Sequence, residues 1–150
     1  MFNSLSSTVL AWSLLAGASS AQLTTATIAA SQDASLYWAQ PSTANGAGQW
    51  LHSRFDELAD VQTHDFLLRF DAAAQLPAGA SVQSARIELV CVEVFSTAAF
   101  PLVAQRMTQP WTEGPSDAAA NEWQGAPAQP LDVTASHASF PTTPFTLPIV

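Results

Sequence analysis

Apolar and polar residues alternate along this chain in short runs broken by turn residues. No stretch after Gln22 shows the three-to-four spacing of an amphipathic helix. The pattern predicts strands. Thr24–Ala30 reads as a first strand, and the adjacent Tyr37 and Trp38 would, on a strand, face opposite ways. Pro41–Gly48 is a loop built on the Asn45-Gly46 turn signal. Trp50–His52 restarts a strand, and the polar stretch Phe55–Val61 is a connection. Thr63–Asp71 alternates, setting Phe66, Leu68 and Phe70 toward a core and Leu67 and Arg69 away from it. Ala72–Ala80, with Pro77 and Gly79, is a second connection. Val82–Phe95 is the longest apolar run and is rich in β-branched residues, as expected of a central strand with Ile87, Leu89 and Cys91 in the core. Leu102–Thr108 reads as another strand, and Asp117–Ala128 as an alanine-rich surface loop.

The ends modify this picture. Thr8–Ala18 is an apolar run too short for a bilayer, which takes about 20 residues. Ser19-Ser20-Ala21 follows with the small residues of a cleavage site, so residues 1–21 read as a signal peptide despite an n-region without Lys or Arg. The remaining 22–150 is one domain, secreted or held at the cell surface, with no membrane insertion. Three of the last ten residues are proline, and proline cannot donate to a strand ladder. Residues 135–150 are therefore expected to be a divergent or truncated tail. It would dock loosely or leave a sheet edge open.

Charge narrows the partners. The 150 residues are 48% hydrophobic, enough for a small core. Twelve acids against four basic residues, all arginine, give a net charge of −8. Nucleic acid and anionic membranes, which are bound through Lys and Arg, are excluded as partners. Cys91 is the only cysteine, so no intrachain disulfide forms, and its apolar neighbours fit a buried thiol rather than a nucleophile.

No catalytic constellation emerges. The chain lacks G-x-S-x-G, H-E-x-x-H, phosphate-loop and Cys/His metal spacings. His52, His64 and His137 are far apart in sequence. Glu88 and Glu93 fall on opposite faces of one strand, and Glu113 beside Trp111 fits a structural role better than an acid–base one. The densest acidic cluster is Asp56-Glu57 with Asp60. Acidic loops can hold a structural calcium, but no calcium spacing is present, so neither metal nor cofactor is expected. Binding is the better prospect. Sugars present apolar C–H faces to aromatic platforms and hydroxyls to a polar rim. Trp38, Trp50 and Trp123 lie next to loops and are the ligand candidates. Arg69, pointing away from the core, would either grip a uronate carboxylate or pair with an acid such as Glu88.

Several phrases combine into a resemblance. Phe66-Leu67-Leu68-Arg69-Phe70-Asp71 runs through Leu76-Pro77-Ala78-Gly79-Ala80-Ser81-Val82 into Ser84-Ala85-Arg86-Ile87-Glu88-Leu89. Trp111-Thr112-Glu113-Gly114 and Leu131-Asp132-Val133-Thr134 follow, with a weaker match at Asn121-Glu122-Trp123. Together they resemble DNRLRE-type domains, the family 96 carbohydrate-binding modules, over residues 27–134. The resemblance implies an all-β, jelly-roll-like antiparallel sandwich, here without its closing C-terminal strands. It also implies non-catalytic binding of a polysaccharide, alginate or another acidic polymer. Two further readings stay open: a structural or adhesion module of a surface assembly, and an N-terminal fragment of a larger polysaccharide-degrading enzyme.

Overall fold

The computed structural model describes residues 23–56, 61–94, 101–119 and 121–146. The signal peptide expected at 1–21 lies outside them, as do Glu57 and Asp60 of the acidic cluster. The chain is all-β, with antiparallel sheets and a single turn of helix among the described residues.

The main sheet has three strands. β1 (Gln32–Tyr37) and β3 (Arg54–Asp56) flank the central β4 (Val61–Arg69). The β1–β4 register places Ala34 opposite Leu67, Leu36 opposite Asp65 and Tyr37 opposite His64. Directly opposed residues share a face, so this register divides the sheet into two. One face carries Ala34, Leu36 and Leu67, which form the core with Trp111, Val133 and Ala138. Trp38, Met107 and Phe145 pack around them. Full burial of a side chain such as Leu36 contributes about 1.5–3 kcal/mol. The other face carries Tyr37 and His64, and β3 adds Arg54 opposite His64.

The alternation in β4 is real, but its phase is the reverse of the sequence expectation. Leu67 is buried in the core, Phe66 and Leu68 are half-buried, and Phe70 is exposed. The pairing partner decides the phase: Leu67 meets Ala34 across the ladder, and a pattern apolar at every position from 66 to 68 does not choose between faces. Arg69 shares Leu67's side but lies at the strand end, beyond the core, and is exposed.

Several expected strands are absent. Thr24–Ala30 and Trp50–His52 have no strand conformation, and β3 begins only at Arg54. The connection at 72–80 contains α1 (Ala72–Gln75), whose N-terminus is capped by Asp71 Oδ1 accepting from Ala74 N at 3.2 Å. The largest departure is Val82–Phe95. Its described part, 82–94, is exposed throughout and forms no strand, so Ile87, Leu89 and Cys91 lie outside the core. Leu102–Thr108 likewise forms no strand, and Leu102 and Val103 are exposed. Both runs are competent for a strand, but neither has a neighbour within the described chain to complete a ladder.

Two short ribbons close the fold. β2 (Thr43–Ala44) pairs with β5 (Ala126–Pro127), bringing the loop after β1 against the 121–127 segment. β6 (His137–Ser139) pairs with β7 (Thr143–Pro144). This hairpin occupies the tail expected to dock loosely. Instead Ala138 is fully buried and Phe145 packs on the core. Pro144 is tolerated because it sits on the edge of a two-stranded ribbon. The preceding segment is fixed by Asp132, whose buried carboxylate accepts from Ser116 N at 3.0 Å and Gln129 N at 2.5 Å, and from the Ser116 hydroxyl. Those bonds answer the cost of burying a carboxylate away from any basic side chain.

Candidate functional site

The second face of the main sheet carries a polar and aromatic cluster assembled from distant parts of the chain. Tyr37 and His64 come from β1 and β4 by register. The β2–β5 ribbon brings Glu122 and Trp123 over them. The Tyr37 and His64 rings meet edge-on at 5.1 Å, His64 and Trp123 at 5.5 Å, and His52 lies tilted against Trp123 at 4.7 Å. The Tyr37 hydroxyl donates to the Glu122 carbonyl, and His64 Nε2 lies 3.1 Å from the Trp123 carbonyl. Gly125 allows the close approach. It has φ +67, and a Cβ there would stand 2.9 Å from Tyr37 Cε2 and 3.1 Å from Thr43.

Glu122 ties the cluster together. Its carboxylate accepts from Asn45 Nδ2 at 3.1 Å, Gln49 N at 3.0 Å and Trp50 N at 2.8 Å. Partial burial pushes this carboxyl up, but those donors and nearby His52 outweigh it and hold the group below its ordinary value. His52 Nε2 lies 3.8 Å from Glu122 Oε2, too long for a hydrogen bond, and this buried atom has no hydrogen-bond partner among the described residues. Burial lowers the His52 pKa by more than the carboxylate raises it, so the imidazole is neutral at pH 7. Burial lowers His64 as well. Tyr37 is pushed up to about 12, first by burial and then by the Glu122 charge.

Beside this cluster is a hollow of about 330 Å³. Tyr37, His64 and Trp123 form its deeper wall. Gln40, Arg54, Thr63 and Gln124 supply amide, guanidinium and hydroxyl groups around it. None of its described lining residues is acidic. Its volume is at the small end of ligand sites, which span about 300–1,000 Å³.

The four ligand candidates do not converge. Only Trp123 lines the hollow. Trp38 lies on the core face, with Nε1 donating to Asp65 Oδ2 at 2.8 Å. The Trp50 side chain is 45% exposed outside the hollow. Arg69 donates to Gln32 Oε1 at 3.1 Å, and Glu88, offered as its partner, pairs instead with Arg86 at 2.7 Å. Glu113 is half-buried, and its carboxyl is raised by burial and by neighbouring Asp33. Sequence reasoning missed Tyr37, Arg54, His64 and Glu122 as site residues. The available signal was that Tyr37 and Trp38, adjacent on a strand, face opposite ways, which does not say which of them meets the core. Nothing local marked Glu122, whose partners are 72 to 77 residues away.

No protein-family model, curated protein or solved structure matches this chain. No helix among the described residues is long and apolar enough to cross a membrane, and no three His, Cys, Asp or Glu side chains among them are grouped to hold a metal ion.

Proposed function

We propose that the chain is an exported, non-catalytic module that binds an acidic polysaccharide in the hollow beside Tyr37, His64 and Trp123. The observation that carries this reading is the composition of the hollow: an aromatic wall, amide and hydroxyl groups, and one arginine, with no carboxylate among its described lining residues. An aromatic face stacks on sugar C–H groups, and amides and hydroxyls satisfy ring hydroxyls. Arg54 fits the carboxylate of a uronate. The phrases at 66–89 and 111–114 that resemble family 96 carbohydrate-binding modules support the same reading, and the apolar run and small-residue site at 8–21 support export.

Affinity electrophoresis in gels containing a polyuronate or a neutral glucan tests it. Retardation is expected in the polyuronate gel. Arg54→Gln should abolish most of it without unfolding, because Arg54 is exposed. Trp50→Ala should leave it unchanged. Equal migration in both gels across a broad glycan panel would refute sugar binding. An adhesion or assembly role has its own support in the exposed apolar segment 81–94.

A further inference from the structure

The segment 81–94 has the composition of an interior strand and the exposure of a tail. Val82, Ile87, Leu89, Val90, Val92 and Val94 are each at least 50% exposed. Among the described residues, none of its backbone N–H or C=O groups makes a backbone hydrogen bond. An extended apolar segment with open backbone groups is a template for pairing with another chain. The charges identify which chain.

We infer that this segment pairs antiparallel with the same segment of a second copy, about a two-fold axis through Ile87. In that register Arg86 of each copy stands opposite Glu88 of the other, giving two ion pairs from the only charged residues between Ser81 and Val92. Of the other opposed positions, Ser84 meets Val90, Gln83 meets Cys91 and Ser81 meets Glu93, and the rest are apolar. Val82 meets Val92, Ala85 meets Leu89, and Ile87 meets its own copy, so apolar residues meet across both faces. Arg86 and Glu88 already lie on one side of the extended chain, where they pair at 2.7 Å within one copy while both remain largely exposed. Pairing redirects this salt bridge across the strands without burying either charge. The ribbon covers residues 81–93, more than twice the common strand length of about 5–6 residues, which offsets the marginal stability of ordinary two-stranded ribbons. A two-fold contact is self-complementary and closes at two copies.

The register makes a covalent test available. Cys91 faces Gln83 of the other copy, whereas the two Cys91 residues are eight positions apart along the ribbon, about 26 Å. Gln83→Cys should therefore give an oxidised dimer linked 83 to 91, located by peptide mapping, while the parent chain gives none. Sedimentation equilibrium of the full chain from about 1 to about 200 μM should show a monomer–dimer equilibrium, the range of small transient interfaces. Arg86→Glu should weaken it by about tenfold or more, and R86E/E88R should restore it to within about threefold. Near-ultraviolet circular dichroism should be the same for all variants, since the segment makes no ladder within its own fold. A monomer at every concentration, failure of the double variant to recover, an 83–83 or 91–91 link, or growth into fibres would each overturn the pairing.

Discussion

Removing the Glu122 carboxylate tests how the cluster beside the hollow is held. Glu122→Ala deletes three acceptor contacts, to Asn45 Nδ2, Gln49 N and Trp50 N, at 2.8 to 3.1 Å. Hydrogen bonds to a charged group contribute about 1.5–3 kcal/mol each when buried. Here the Gln49 and Trp50 amides are near solvent, and water takes over part of that role. The expected loss is therefore about 2–4 kcal/mol rather than the full sum. For a domain of this size that lowers Tm by about 6–15 °C. Glu122→Gln should cost less, because one oxygen still accepts while the new amide faces a donor. The Tyr37 hydroxyl keeps its partner in both variants, since it bonds the backbone carbonyl. Urea unfolding followed by tryptophan fluorescence, with calorimetry alongside, gives the values. A loss below about 0.5 kcal/mol for Glu122→Ala would show that the carboxylate is not what joins the 45–50 loop to the 122–125 turn.

Tyr37 is the only tyrosine, so its phenol can be titrated by ultraviolet absorbance without interference. The folded protein should titrate near pH 12, against about 10 in urea; stability from this group is complete below pH 10 and is lost as pH rises through 12. A native midpoint near 10 would contradict its burial under Glu122. At the acid end, His52 and His64 have lowered folded pKa values, so below about pH 6.5 the unfolded chain takes up protons first and stability falls with pH; Glu122, also lowered, extends the fall below about pH 4.5. Urea midpoints at pH 7.5 and 5.5 should therefore drop, and His64→Asn should flatten that difference; a flat or rising wild-type profile would contradict the neutral buried pair. Gly125→Ala should cost about 1–3 kcal/mol, because positive φ combines with contact to Tyr37, whereas Gly79→Ala, with φ +80 and open space, should cost only about 1 kcal/mol. Equal losses in thermal melts would mean that Gly125 is not packed against Tyr37.

What could be read from the sequence was local, and what could not was the choice of partners. Alternation located most of β4, since Thr63–Asp71 overlaps Val61–Arg69, although the strand starts two residues earlier, in what read as a connection. It also separated His64 from Asp65, which do point to opposite faces, His64 to Trp123 and Asp65 to Trp38. Trp111, which was not among the ligand candidates, lies in the core. The phase of β4 failed because consecutive apolar residues fit either face until Ala34 is placed opposite Leu67. Val82–Phe95 failed for a related reason: β-propensity measures fitness for a ladder and says nothing about whether a neighbour is there to form one. The hollow escaped notice because His52, His64 and Trp123 look unrelated along the chain, and only the β2–β5 ribbon brings Trp123 to the two histidines.

The most direct measurement is an amide chemical-shift map of the labelled protein titrated with a uronic-acid oligosaccharide. Shifts should grow with ligand and cluster at Tyr37, Gln40, Arg54, Thr63, His64, Trp123 and Gln124, with Trp38, Arg69 and the 81–94 segment unchanged. A silent hollow, whether the shifts fall elsewhere or nowhere, would contradict the assignment of sugar binding to this face of the sheet.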